Sequence, residues 1–113
     1  MEKGKPHYSL EDIQKKVRSD GADTFTKTAI ENSKEMGLTL EQAIEVVCSM
    51  PPSCFYKSMT THASNKIWQD VYHPPTPIGK TAYVKLTLRD EGSIVIQFKD
   101  KDNENDEKSM SEL

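Results

Sequence analysis

Residues 81–89 read TAYVKLTLR, and their side chains alternate between apolar and polar along the whole segment. One face carries Ala82, Val84, Leu86 and Leu88. The other face carries Thr81, Tyr83, Lys85 and Thr87. A period of two is typical of an antiparallel strand with one buried and one open face. Residues 93–99, SIVIQFK, repeat the pattern, so this part of the chain predicts a two-stranded hairpin within a sheet.

The connection between the two segments is Asp90-Glu91-Gly92. Three-residue hairpin loops favour glycine at a left-handed position, which Gly92 supplies. If Arg89 and Ser93 close this loop, the apolar faces of the two strands coincide, which supports the register. That register pairs Leu88 with Ile94, Leu86 with Ile96, Val84 with Phe98, and Tyr83 with Lys99.

Two further strands are predicted upstream, at about 54–61 and 66–73, in a region rich in aromatic residues and threonines. Lys57 and Gln69 within them must face water or a ligand, because burying them unpaired is costly. Lys57 and Gln69 lie on the same face of the sheet if the numbers of directly opposite residues in these two strands add up to an even number. The sequence does not fix this register. The proline-rich connection 74–79 is not expected to form the backbone hydrogen bonds of a β-sheet, because proline has no N–H to donate.

The first half of the chain predicts three helices. Ser9 caps one that Gly21 ends, a second runs from about Thr26 to Met36, and a third begins at Thr39 and stops at the prolines that follow Met50. Apolar residues recur at helical spacing in the first and third, which gives each helix one face to bury. The predicted fold class is therefore α+β, with N-terminal helices packed on an antiparallel sheet.

Composition narrows the function classes. The net charge of −3 hides a division of the chain: residues 1–52 carry −2, residues 53–99 carry +3 and residues 100–113 carry −4. A basic sheet suits a polyanion such as RNA, although a solvated charged face is the simpler interpretation.

No apolar run is long enough to span a bilayer, and no secretory signal is evident. Cys48 and Cys54 are interpreted as reduced core thiols of a cytoplasmic protein.

Motifs for other chemistries are absent from the sequence. There is no metal-ligand spacing, no nucleophile elbow and no phosphate-binding glycine loop. A nucleophilic pair of Cys54 and His62 is conceivable, but Cys54 precedes an aromatic strand and is expected to be buried. Tyr56, Trp68 and Tyr72 are expected to pack against the helices or in a secondary cluster.

A set of polar residues on the predicted sheet remains: Lys57, Gln69, Tyr83, Lys85 and Lys99. Lysines stabilise the charge that develops in phosphoryl transfer, tyrosine stacks on a base or exchanges a proton, and glutamine hydrogen-bonds a base or phosphate. Each residue also has a structural alternative, since exposed lysines keep a sheet soluble and tyrosines pack across strands. Spacing alone supports an α+β domain with a basic, RNA- or DNA-binding sheet.

The segments 55–61, FYKSMTT, and 67–72, IWQDVY, resemble the signature of the motility quorum-sensing regulator (MqsR) toxin family. The N-terminal Met1-Glu2-Lys3, Pro6-His7 and the closing Gln97-Phe98-Lys99 are also similar, over about residues 1–101. The resemblance implies a RelE-like toxin domain over residues 1–99, followed by an acidic tail, 100–113, that is expected to be disordered.

The resemblance also implies a function: a type II toxin that cleaves mRNA at GCU-type sites without a metal or other cofactor. A cognate antitoxin would neutralise it, and contact with DNA would be indirect, through the toxin–antitoxin complex. The implied catalytic residues are Lys57, Gln69, Tyr83 and Lys99, with Met59 nearby. We expect Met59, His73 and Lys85 to bind substrate. Where this chain has His73, the family pattern has arginine. The alternative is a non-enzymatic module that binds RNA or DNA through the basic sheet.

Overall fold

The computed structural model describes residues 1–64, 66–88, 92 and 94–102. Predictions for the loop residues Arg89, Asp90, Glu91 and Ser93, and for the tail from residue 103 onward, concern residues outside this set. Gly92 is within it and has a φ of 96°, as predicted for the left-handed position.

The three predicted helices are confirmed as α1 (Leu10–Asp20), α2 (Lys27–Glu35) and α3 (Leu40–Ser49). Each begins at a hydroxyl residue whose side chain accepts a hydrogen bond from a backbone N–H in the first turn, namely Ser9, Thr26 and Thr39. These caps satisfy donors that have no partner within the helix. At α3 the side chain of Gln42 also accepts from the Thr39 N–H, completing a capping box.

Within the described part of the chain, five antiparallel strands form one sheet in the order β1 (Glu2–Lys3), β2 (Phe55–Thr60), β3 (Trp68–Tyr72), β4 (Ala82–Leu86) and β5 (Val95–Asp100). Four of these were predicted, and β1 was not, because two residues are too short to show a period. At the far edge, Phe25 forms a parallel bridge with Val95, so the segment before α2 covers the outer side of β5.

The core lies between the helices and one face of the sheet. From the helices it includes Ile13, Val17, Ala29, Ala43 and Val47. From the sheet it includes Tyr72, Ala82, Val84, Leu86 and Phe98. Burying these side chains is the main source of stability, since each large one contributes about 1.5–3 kcal/mol. The opposite sheet face is therefore left to carry polar groups.

The predicted hairpin register is correct at one end and wrong at the other. Val84 pairs with Phe98 and Tyr83 with Lys99, as predicted. Leu86, however, pairs with Val95 and not with Ile96, because an irregularity after Lys85 leaves Ile96 as an extra residue on β5. The predicted pairing of Leu88 with Ile94 is also wrong: Leu88 is 48% exposed, and β4 ends before it.

Among the described residues, no helix is both long enough and apolar enough to cross a bilayer.

Candidate active site

The sequence-predicted catalytic residues all lie on the sheet face that points away from the helices. Directly paired residues of antiparallel strands share a face, and the ladder pairs Met59 with Gln69, Lys57 with Val71, and Val71 with Lys85. Lys57 and Gln69 are thus on one side, the point that the sequence left open. The pair of Tyr83 and Lys99 belongs to the same side. We call this set the basic face: Lys57, Met59, Gln69, Tyr83, Lys85 and Lys99.

Tyr83 lies beside two ammonium groups. The Nζ atom of Lys99 is 5.1 Å from the centre of the tyrosine ring, and that of Lys85 is 5.9 Å away. Both distances allow attraction between a cation and the ring face. The ring of Tyr83 is therefore flanked by two cations on the same side of the sheet.

The basic face is less open than the alternating pattern predicts. Gln69, Lys85 and Lys99 are buried, as is the adjacent Gln97 of β5, and Lys99 is only 1% exposed. One reason is that α2 reaches over the edge of β5, where the Asn32 amide donates to the Gln97 side chain at 2.8 Å. Lysine stems also cover apolar surface readily. The more accessible part of the basic face is the β2 side.

On the β2 side, Lys57 forms an ion pair with Glu2 of β1. Its Nζ atom lies 2.9 Å from a Glu2 carboxylate oxygen, and both side chains are partly exposed. Glu2 lies opposite Met59 in the ladder, so the unpredicted strand β1 brings a carboxylate onto the basic face. This pair orients the Lys57 side chain along the sheet.

Behind Gln69, the neighbouring Asp70 points to the helix side and is fully buried. Its carboxylate accepts hydrogen bonds from the backbone N–H groups of His7 and Tyr8, at 2.9–3.0 Å, and from the Ser58 hydroxyl at 2.6 Å. Several donors of this kind stabilise a buried carboxylate. Asp70 therefore attaches the segment after β1 to the centre of the sheet, and so helps to place Glu2.

Three aromatic rings cross one end of the basic face. The ring centroids of Tyr56 and His73 are 4.4 Å apart and nearly parallel, at 25°, and those of His73 and Tyr83 are 5.7 Å apart. His73, which follows β3, is thus brought next to the basic face. Tyr56 was expected to pack against the helices or in a secondary cluster; it is 54% exposed and belongs to this cluster of rings. Its position beside the basic face depends on a bulge between Phe55 and Lys57, which the sequence pattern does not show.

The cysteines are not placed for nucleophilic chemistry. Cys48 and Cys54 are free thiols that pack at the margin of the core. Burial raises the pKa of both, which disfavours the reactive thiolate. Within the part of the chain that the structure describes, no three His, Cys, Asp or Glu side chains are grouped as a metal site would require.

An antiparallel sheet with a basic, tyrosine-bearing face, covered on its other side by helices, suits a protein that acts on RNA. Residues 5–100 match the model of the family described as "Motility quorum-sensing regulator, toxin of MqsA". The chain belongs to this family, and it is the toxin of a toxin–antitoxin pair, with endoribonuclease activity.

Among curated proteins, the chain is similar to the mRNA interferase toxin MqsR of Escherichia coli (strain K12). The two are 38% identical over 101 residues, which span 89% of this chain and 100% of that relative. Lys57, Gln69, Tyr83 and Lys99 all lie between residues 5 and 100, the part of the chain that the family model covers.

Proposed function

We propose that this chain is an mRNA interferase that cuts single-stranded mRNA on the basic face, at GCU-type sites and without a metal ion. The observation that carries the proposal is the convergence of Lys57, Gln69, Tyr83 and Lys99 on one side of the sheet. The basic face offers cations and proton-exchanging groups next to one another, which is what cleavage of a phosphodiester requires. The preference for GCU rests on the resemblance to the toxin family.

The reaction that suits this face is internal attack. The 2′-oxygen of a ribose attacks the adjacent phosphorus as its proton is removed, and the bond from phosphorus to the 5′-oxygen breaks. The 5′-oxygen takes up a proton, leaving a 2′,3′-cyclic phosphate on one product and a 5′-hydroxyl on the other. The protein must hold the attacking and leaving oxygens in line and stabilise the negative charge at phosphorus.

The residues divide between these tasks. Lys57, Lys85 and Lys99 supply positive charge at the position of the phosphate, and the amide of Gln69 orients the phosphate or a base. The hydroxyl of Tyr83, whose ring lies beside the ammonium groups of Lys85 and Lys99, exchanges a proton with the reacting oxygens. Met59 and His73 contact the RNA on either side of this centre.

The proposed cellular setting follows from this activity. The chain would act in the cytoplasm, where mRNA is translated, and a cognate antitoxin would bind and neutralise it. Any contact with DNA would pass through the toxin–antitoxin complex, since the toxin's own basic face is assigned to RNA.

The test is cleavage of an RNA with one GCU site in buffer containing EDTA, with the product ends mapped. A cut that leaves a 2′,3′-cyclic phosphate, and that disappears when the attacking ribose is 2′-deoxy, supports the proposal. Lys57→Ala should lower the rate at least 100-fold, whereas Lys15→Ala, which removes an exposed lysine of α1, serves as the matched control. RNA that is bound but intact would support a non-enzymatic binding module, and a requirement for added metal would overturn the metal-independent mechanism.

A further inference from the structure

Tyr56 differs from the tyrosine that packs in the core. Tyr72 is 1% exposed, whereas Tyr56 is 54% exposed, although both belong to neighbouring strands β2 and β3. An aromatic ring left in water gives up the free energy that its burial would provide. Packing in the core therefore does not account for the position of the Tyr56 ring.

The ring of Tyr56 is nevertheless held in place. His73 stacks on it at 4.4 Å between centroids, and His73 in turn contacts the ring of Tyr83, a residue of the basic face. The bulge between Phe55 and Lys57 points the ring in this direction. An aromatic ring that is oriented before binding loses little conformational entropy when a ligand stacks on it.

The charge beside this ring is positive. The Nζ atom of Lys57 lies 5.4 Å from the Tyr56 ring centroid, within the range of a cation–π contact. An aromatic surface next to a lysine is the combination that binds single-stranded nucleic acid, because the base stacks on the ring while the cation meets the backbone phosphate. The same pairing is absent from the described surroundings of Tyr72, which are apolar core.

We infer that the exposed ring of Tyr56, supported by His73, is a base-binding subsite of this toxin. One base of the RNA stacks on Tyr56 while Lys57 binds the neighbouring phosphate. These two contacts position the RNA for cleavage beside Tyr83. The inference rests on the proposed function and adds to it a nucleotide subsite. Because a base can stack on Tyr56 only after leaving its own helix, this subsite also restricts the substrate to unpaired RNA.

The test couples a change in the protein to a change in the RNA. A set of short RNAs carries one GCU site, and in each RNA a different nucleotide near the cut is replaced by an abasic one. RNA affinity and cleavage rate are measured with the unaltered protein and with Tyr56→Ala, Tyr56→Phe and Leu88→Ala. Leu88 is a matched control, since it is also an exposed apolar residue but lies beyond the end of β4.

Stacking on Tyr56 predicts three results. Tyr56→Ala weakens binding of the intact RNA by about 5- to 100-fold, the range expected for one stacked base. Tyr56→Phe binds more tightly than Tyr56→Ala, because the ring face and not the hydroxyl makes the contact. At one RNA position, the abasic change weakens binding to the unaltered protein but has no further effect on Tyr56→Ala.

The inference is overturned if Tyr56→Ala binds and cuts RNA as well as the unaltered protein does. It is also overturned if, at every RNA position, the loss of binding free energy caused by the abasic nucleotide is the same for Tyr56→Ala as for the unaltered protein. A Tyr56→Ala variant that loses the antitoxin but keeps RNA affinity would identify the ring as an antitoxin contact instead. If the unaltered protein leaves every RNA intact, the proposed function fails first, and RNA affinity alone still tests the stacking.

Discussion

The Glu2 carboxylate lies 2.9 Å from the ammonium group of Lys57, so the second residue of the chain neutralises a lysine on the more accessible side of the candidate site. The contact spans 55 positions of sequence and depends on the pairing of β1 with β2. RNA that approaches Lys57 must compete with this carboxylate. The ion pair is partly exposed and therefore weak, so a phosphate can displace it at modest cost.

We expect Glu2→Gln to strengthen RNA binding. The substitution removes a negative charge from the basic face and frees Lys57, and the gain should be about two- to five-fold at low salt and should vanish near 1 M salt, where such charges are screened. Equilibrium binding to a non-cleavable 2′-deoxy RNA across a salt series measures it. Glu11→Gln, at an exposed position of α1, is the control. Weaker binding by Glu2→Gln would show instead that the carboxylate is needed to position Lys57.

Lys99→Met should separate catalysis from stability. Methionine matches the buried stem of Lys99 and removes only its ammonium group. We expect the cleavage rate of the folded variant to fall by about 100-fold or more, beyond any loss of folded protein, because a cation next to Tyr83 is lost. Single-turnover cleavage and urea unfolding of the same preparation measure the two effects. A variant that cuts RNA normally would remove Lys99 from the site.

Asp70→Asn should loosen the N-terminal segment. Asp70 is fully buried and accepts from His7, Tyr8 and Ser58, so an amide in its place loses at least one acceptor and turns a donor towards these N–H groups. We expect a loss of about 2–4 kcal/mol in the free energy of unfolding. Limited proteolysis should cut before α1 first. The control is Asp23→Asn at an exposed position, and equal protease resistance of the two variants would contradict the anchoring role.

Tyr72 predicts a loss of stability in alkali. Burial, helped by the negative charge of Asp70, raises the pKa of Tyr72 from 10.0 to about 12. The unfolded chain therefore releases this proton first, so the stabilisation is complete below pH 10 and is lost as the pH rises towards 12. This difference in pKa between the folded and unfolded chain corresponds to about 2–3 kcal/mol of unfolding free energy.

Urea unfolding at pH 8, 10 and 11 measures this loss for the unaltered protein and for Tyr72→Phe, which has no proton to release. We expect the difference in unfolding free energy between the two proteins to change by about 1.4 kcal/mol between pH 8 and pH 11, since pH 11 lies midway between the two pKa values. If the unfolding free energies of the two proteins fall equally with pH, the loss of stability in alkali belongs to groups other than Tyr72.

Much of the fold could be predicted from local chemistry. Ser9 and Thr39 mark helix starts because their hydroxyl groups can accept from a backbone N–H of the first turn, and the pairing of Tyr83 with Lys99 follows from the requirement that apolar faces coincide. Both signals depend on residues near one another in sequence. They need no knowledge of how distant segments meet.

The rest depends on long-range contacts. The bulge at Ile96 changes the pairing of Leu86, but the alternating pattern of residues 93–99 gives no sign of it. The burial of Lys99 can be predicted only if it is known which elements cover β5. The same limit hid Glu2, whose role depends on a two-residue strand that pairs with β2. Within the candidate site, residue types were therefore predictable, but their exposure and their neighbours were not.

The order of the sheet has a consequence for synthesis of the toxin. The basic face takes Lys57 from β2 and Lys99 from β5, the last strand of the described sheet. A chain still leaving the ribosome cannot assemble that face until residue 99 has emerged. On the proposed function, a chain released before β5 is made lacks Lys99 and is expected not to cut RNA.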